Sequence, residues 1–324
     1  MSEVPNYPSI NTGSEDTGIH LITIDLFGFI CILEFFSGWT ALHWACDAGE
    51  KEIVEMLIKN CRADPFVKNF SGSSPIHLAI AKDHKKVIEC LLTYRPGLIQ
   101  STNDKNGWYP IHIAAYFKRV QCLAVLVKAN ADIMQLTEEK EGLPRYSTFH
   151  LAVDSQLKRK SVILRSPLEI QENLIRSISR SGKGDSNDHE ENEVDEDDIR
   201  TRETVDFLLS RLPSKELVIA DDFKHGTILH CLAAINHSEG VRQITQHPFN
   251  HPPDLPNSEG ITPFMKALDL RSLESALELL DCEININRVH PISNLLPLQI
   301  LLLKASSIHD VHLQIVDKLL AKGM

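Results

Sequence analysis

The sequence predicts an all-α solenoid, a row of helix-turn-helix units stacked along one axis and joined by short β-hairpin-like connections. Two observations predict it: one short motif recurs at a near-constant period, and an apolar stripe follows each copy at a fixed offset. The motif is clearest in Gly38-Trp-Thr-Ala-Leu-His-Trp-Ala45, Gly72-Ser-Ser-Pro-Ile-His-Leu-Ala79 and Gly107-Trp-Tyr-Pro-Ile-His-Ile-Ala114. Weaker copies stand at Ser147–Ala152, Thr227–His230, Gly260–Ala267 and Leu296–Gln299. One slot, filled by His43, His77, His112, His150, His230, Met265 and Gln299, gives the register. Its successive separations are 34, 35, 38, 80, 35 and 34.

Each element follows from its local pattern. A hydroxyl residue before the first helix can cap free amides, and proline in the first turn needs no amide hydrogen. Thirteen to fifteen residues after the slot come Met56-Leu57-Ile58, Cys90-Leu91-Leu92, Val125-Leu126-Val127 and Glu278-Leu279-Leu280. Branched pairs such as Ile53-Val54 and Val87-Ile88 precede them, and spacings of three and four mark the buried stripe of a second helix. A unit of this size has no closed core of its own, so stability comes from stacking.

These units resemble ankyrin repeats, whose pattern is G-x-T-P-L-H-x-A followed by a leucine-rich second helix. About seven repeats cover Gly38 to the C-terminus. The first three match well, the fourth lacks the glycine, and the last has Gln299 for histidine. The resemblance implies a structural role for His43, His77, His112, His150 and His230, tying adjacent repeat backbones together. It also implies a non-enzymatic binding module whose concave face, built from turn tips and first helices, holds a protein partner. The positions variable in the family fall on Trp39, Phe70, Lys105, Trp108 and Tyr116, read here as solvent-facing partner-binding residues. A domain of a larger protein, such as a membrane channel or a ubiquitin ligase, is an alternative reading. An inhibitor of a Rel-type transcription factor is another, although the paired-serine motif D-S-G-x-x-S of those inhibitors is absent.

The interval of 80 locates an insertion. The second-helix signature of the fourth repeat reappears at Phe207-Leu208-Leu209, so about 44 extra residues lie within 158–201. The predicted order is therefore an irregular or capping segment over 1–37, repeats over 38–157, a disordered basic and acidic insertion over 158–201, and repeats again over 202–324. The chain carries 33 Lys+Arg against 44 Asp+Glu, a net charge of -11. Nine acidic residues and no lysine or arginine stand from Asp185 to Asp198, so the rest of the chain is nearly neutral. That balance argues against nucleic acid as the partner. Ser166-Pro167 in the basic half of the insertion fits a proline-directed kinase site.

Little else suggests chemistry. No G-x-x-x-x-G-K-[ST], G-x-G-x-x-G, G-x-S-x-G or H-E-x-x-H occurs, and no cofactor, metal or catalytic residue is expected. His43 and Cys46 lack a second ligand pair, and His247–His251 reads as a surface turn. Ile19–Phe36 is apolar, but Asp25 and Glu34 interrupt it, which argues against a membrane span. Seven scattered cysteines with no C-x-x-C read as reduced, mostly buried thiols. The expectation is an intracellular monomer, cytoplasmic in the first instance, with the nucleus as the other compartment.

Overall fold

Helices start where the motif does, because an extended residue precedes the first helix and, where it is threonine, can supply a side-chain cap. Thr40 and Thr262 accept the amide three residues on, His43 N and Met265 N, and proline opens four of the later first helices. The structure, a computed structural model, describes residues 38–140, 145–153, 190–212, 226–246, 252–305 and 309–323. Residues 1–37, most of the insertion with Ser166, and the His247–His251 turn lie outside the described residues.

Seven helix pairs result among the described residues. They are α1 (Ala41–Ala48) with α2 (Lys51–Lys59), α3 (Pro75–Ala81) with α4 (Lys85–Tyr94), and α5 (Pro110–Tyr116) with α6 (Val120–Lys128). Then come α7 (Thr148–Val153) with α8 (Glu190–Ser210), and α9 (Ile228–Ala234) with α10 (Ser238–Gln246). The last two are α11 (Pro263–Asp269) with α12 (Leu273–Leu279), and α13 (Pro297–Lys304) with α14 (Asp310–Ala321). The first helices of successive repeats pack in one row and the second helices in another, with one continuous core between them.

Two kinds of turn set the pitch. Gly38, Gly72, Gly107 and Gly260 precede the first helix at φ between +67 and +78. A Cβ on Gly72 would stand 2.8 Å from the Asp104 Cβ, and one on Gly107 would stand 2.6 Å from the Glu138 carbonyl oxygen. Only glycine permits successive connections to come this close. Six residues after the slot the chain turns left-handed again, at Gly49, Asp83, Lys118, Asn236 and Arg271. The expected hairpin-like connections are asparagine-anchored turns; the isolated bridge Leu136–Ser147 is the pairing found among the described residues.

The predicted domain boundaries need one correction. The insertion was expected to stay irregular to residue 201, but α8 begins at Glu190 and is 21 residues long. Its extra turns carry part of the acidic run, and side-chain contacts hold them. Lys118, the left-handed turn residue of the third repeat, donates from Nζ to Asp197 Oδ2 at 2.6 Å and to the Asp197 carbonyl at 3.2 Å. The Lys118 side chain is nearly buried, so its charge needs that carboxylate. Further along, His237 Nε2 bonds Asp206 Oδ1 at 2.9 Å, and Arg202 donates to the Ile235 carbonyl, joining α8 to the fifth repeat.

The later repeats add ion pairs to a thinner apolar stripe. Arg242 reaches Glu278, and Lys318 reaches Asp281 at 2.6 Å. Because Asp197 neutralises a buried cation through a charge-assisted hydrogen bond, Asp197→Ala is expected to lower unfolding free energy by about 1.5–3 kcal/mol. Glu196→Ala removes only the exposed i,i+4 pair with Arg200 and should change it by about 0.5 kcal/mol or less. Urea unfolding followed by circular dichroism separates the two.

Candidate protein-interaction surface

The slot histidines define the scaffold on which any surface residue sits. His43 is the third residue of α1, and its Nδ1 accepts the Thr40 backbone N–H at 3.0 Å. The same closure recurs at His77 with Ser74 (3.0 Å), His112 with Tyr109 (3.2 Å), His150 with Ser147 (3.4 Å) and His230 with Thr227 (2.9 Å). This is the capping-box geometry, with imidazole in the place of the usual carboxylate or amide. An N–H donor at Nδ1 leaves the ring proton on Nε2, which donates to a carbonyl of the next repeat. The acceptors are Ser73 O (3.1 Å), Ser101 O (2.9 Å), Gln135 O (2.8 Å), Gly226 O (3.0 Å) and Ile261 O (2.9 Å).

Burial lowers the pKa of His43, His77 and His112 to about 4. Protonation would also set two donors against each other at Nδ1. These rings are neutral structural bridges, and His43 has no lone pair left for the H-x-x-C pairing with Cys46. Cys46, Cys90, Cys122 and Cys231 are buried free thiols, and burial pushes the first three pKa values up. Among the described residues no group of three or more His, Cys, Asp or Glu could hold a metal ion.

Where the histidine is replaced, other groups make the link. Gln299 Oε1 accepts the Leu296 amide at 2.9 Å, keeping the cap alone. At Met265 the ring is missing, and repeats six and seven are joined by His290 Nε2 to Asp269 Oδ2 at 2.9 Å and by Lys304 Nζ to the Asp269 carbonyl at 2.8 Å. Nothing in the repeat pattern marks His290. Lys118 could have been noticed, since it fills the turn position that Gly49 and Asn236 occupy elsewhere.

The tips between repeats are rigid. Asn69 Oδ1 accepts the amides of Ser71 and Ser73 at 3.0 and 2.9 Å, and Asn103 Oδ1 accepts those of Lys105 and Asn106 at 3.0 and 3.2 Å. Adjacent tips are bonded through Asp104 N to Gly72 O at 3.0 Å and Glu138 N to Gly107 O at 2.8 Å. Phe70 stands on this ridge, its ring against the bare Cα of Gly38, and is 67% exposed. Lys105 is exposed beside Asp104, which pairs with Lys68.

Three of the five predicted partner-binding residues are not solvent-facing. Trp39 (3% exposed), Trp108 (6%) and Tyr116 (4%) are core residues. The Trp108 and Tyr116 rings lie 5.0 Å apart, and Tyr116 meets Phe117 edge-on at 5.0 Å. Trp39 packs on Trp44 at 4.6 Å. Large rings at these positions bridge one tip and the neighbouring helix, because burying that area outweighs leaving it in water. A cleft of about 730 Å³ opens at the opposite edge, lined by Lys118, Asp197, Arg202, Lys266 and Arg271. Its charges are of both signs, so it presents no single-sign field.

Family models match where the geometry is most regular. The model "Ankyrin repeat" matches residues 37–70, and "Ankyrin repeats (3 copies)" matches 61–137. Over residues 37–137 the chain is built of ankyrin repeats. The fold extends beyond those residues: the crystal structure of the human ASB11 ankyrin repeat domain superposes with a TM-score of 0.56 at 16% identity, covering 86% of this chain and 98% of that one. Among curated proteins, tyrosine-protein kinase HTK16 of Hydra vulgaris is 32% identical over 97 residues, 30% of this ankyrin-repeat chain and 13% of the kinase. The NF-kappa-B p105 subunit of Gallus gallus is 30% identical over 119 residues, 36% of this chain and 12% of p105. The match thus spans about an eighth of these relatives. No helix among the described residues is long and apolar enough to cross a membrane.

Two outcomes test the assignment of roles. Trp108→Ala is expected to cost about 3–5 kcal/mol of stability, the range for emptying a large aromatic site, and melting temperature reports it. The unfolded rings of His43, His77 and His112 take up protons near pH 6.5, the folded ones near 4. Stability from these neutral rings is complete above about 6.5 and falls as pH drops toward 4, by about 1.4 kcal/mol per pH unit per ring. Urea midpoints across that window measure the slope, and His77→Gln should flatten it by one proton.

Proposed function

We propose that this chain is a protein-interaction module that engages its partner along the tip ridge of repeats one to three, with Phe70 and Lys105 in direct contact. Trp39, Trp108 and Tyr116 belong to the same region but act from beneath, by fixing the tips and the first helices that face the partner. The observation that carries the reading is Phe70: a large aromatic left two-thirds exposed on a hydrogen-bonded turn. An aromatic anchor on a rigid support loses little conformational entropy on binding, which is why such residues dominate interface energies. Lys105, one tip along, adds orientation and rate rather than bulk affinity.

Ankyrin-repeat folds are typically non-enzymatic interaction modules, and the neutral, fully engaged histidines support that reading here. The chain acts in the cytoplasm in this proposal. The similarity to p105 favours one further reading, a partner of the Rel transcription-factor class held by the same ridge.

Affinity capture with wild type and with Phe70→Ala plus Lys105→Glu tests the ridge. The double variant should keep its melting temperature within about 1 °C, since neither side chain is buried. It should also lose the partners captured by wild type. An identical captured set would sink the assignment. A purified Rel-homology dimer that shows no binding to wild type in calorimetry would remove the second reading and leave the first standing.

A further inference from the structure

Two backbone carbonyls show how each repeat is fastened to the next. The first accepts the amide that opens a tip: Ser73 O from Asn69, Ile261 O from Asn257 and Leu295 O from His290, each at 2.9 Å. Ser73 O and Ile261 O also take the slot ring of the preceding repeat, His43 or His230. Leu295 O does not, because Met265 fills that slot and its side chain has no donor. The second carbonyl belongs to the tip glycine. Gly72 O and Gly107 O accept amides of the next tip, those of Asp104 and Glu138. The residue brought against Gly260 is Pro291, whose Cγ would stand 3.4 Å from a Cβ on that glycine. Proline has no amide hydrogen, so this bond is missing too. The five earlier joints all keep the ring; the joint between repeats six and seven keeps neither link.

What holds this joint is of two kinds. One is an apolar seam in which Ile300 of α13 and Ile315 of α14 are fully buried, an attraction that fixes no angle. The other is a set of polar side chains. Along the second helices, Lys318 meets Asp281 and Lys322 meets the Cys282 carbonyl, both exposed contacts that hold weakly. Along the first helices everything converges on Asp269, the last residue of α11. Its Oδ2 takes Nε2–H of His290 from the tip, and its carbonyl takes Lys304 Nζ from the end of α13. The His290 ring is buried, and its Nδ1 accepts the amides of Ile292 and Ser293 at 3.3 and 3.1 Å. One ring thus ties Asp269 to the whole tip of repeat seven.

We propose that the joint between repeats six and seven is the hinge of the array, and that Asp269 is the catch that holds it closed. Repeat seven swings as a unit against repeat six, about the seam of Ile300 and Ile315. The swing redirects the tip carrying Val289 and Ile292, 47% and 72% exposed, while the bonded tips of repeats one to three keep their direction. The weakness is internal to the joint, since it follows from Met265 and Pro291.

Thiol labelling of the full chain carrying Ile300→Cys tests it, with the buried Cys46, Cys122 and Cys231 as references in the same molecule. The reporter should react about tenfold faster than any reference, as a locally weaker joint requires. Asp269→Ala should speed the reporter about tenfold more and leave the references unmoved, because a hydrogen bond to a charged group is lost. Met265→His with Pro291→Ala gives Leu295 O a ring donor and Gly260 O an amide, and should slow the reporter to the reference rates. Ile315→Cys takes over as reporter if Ile300→Cys lowers helicity. Amide exchange separates swinging from melting: the helical amides of α14 should stay protected while the thiol reacts. A reporter no faster than the references, or one indifferent to both sets of changes at the joint, would overturn the proposal. So would α14 amides that open as often as the thiol does.

Discussion

One imidazole ring, used twice, carries the architecture. In five of the seven repeats Nδ1 accepts the amide that opens the first helix, and Nε2–H donates to a carbonyl of the following repeat. Both partners are backbone groups that would otherwise be buried without a hydrogen bond, and such groups are costly to leave unmet. The ring therefore couples the start of a helix to the position of its neighbour. At His43, His77 and His112 burial favours the neutral ring, and only a neutral tautomer can make both bonds. Tight connections, the glycine at the tip and the small residues in the first helices all serve the spacing that this bridge requires.

The variation along the array follows from that constraint. Repeats one to three keep the ring, the proline or hydroxyl cap, and a dense second-helix stripe, and their tips are locked to each other by backbone hydrogen bonds. Repeats six and seven have lost the ring at Met265 and Gln299. They are held instead by polar side chains that reach across, with His290 and Lys304 on Asp269 and Lys318 on Asp281. The fourth repeat tolerates its insertion because the extra residues enter between its two helices, leaving His150 bonded to Gly226 and Leu208 in the core. The acidic residues at the insertion's end are used structurally: Asp197 neutralises Lys118, a cation that the third repeat buries at its turn.

The surface reading shows where a repeat register stops being informative. Position in the repeat placed Trp39, Trp108, Tyr116, Phe70 and Lys105 on one solvent-facing surface, whereas Trp39, Trp108 and Tyr116 are buried and Phe70 and Lys105 are exposed. Register says nothing about which way a large ring turns. Trp108 packs on Tyr116 and folds inward, whereas Phe70 lies against the bare Cα of Gly38 and stays two-thirds exposed. The difference is set by what each ring can contact, a property of pairs of residues about 35 positions apart or of neighbouring turns.

The amino-acid sequence alone determined the solenoid, the number of repeats, the site of the insertion and the structural role of the histidines. These are local matters: a period, a cap and an amphipathic stripe are written in consecutive residues, and each unit repeats the same short-range physics. Only the tertiary structure decided that Glu190–Asp198 extends a helix rather than a loop, that Asp269 replaces a missing histidine as the junction of two repeats, and that the predicted aromatic surface is mostly core. Each of these depends on a partner from another repeat, such as Lys118 for Asp197, 79 residues away. A charge, a ring or a helix end is stabilised by whatever the fold places against it, and a linear pattern does not carry that neighbour.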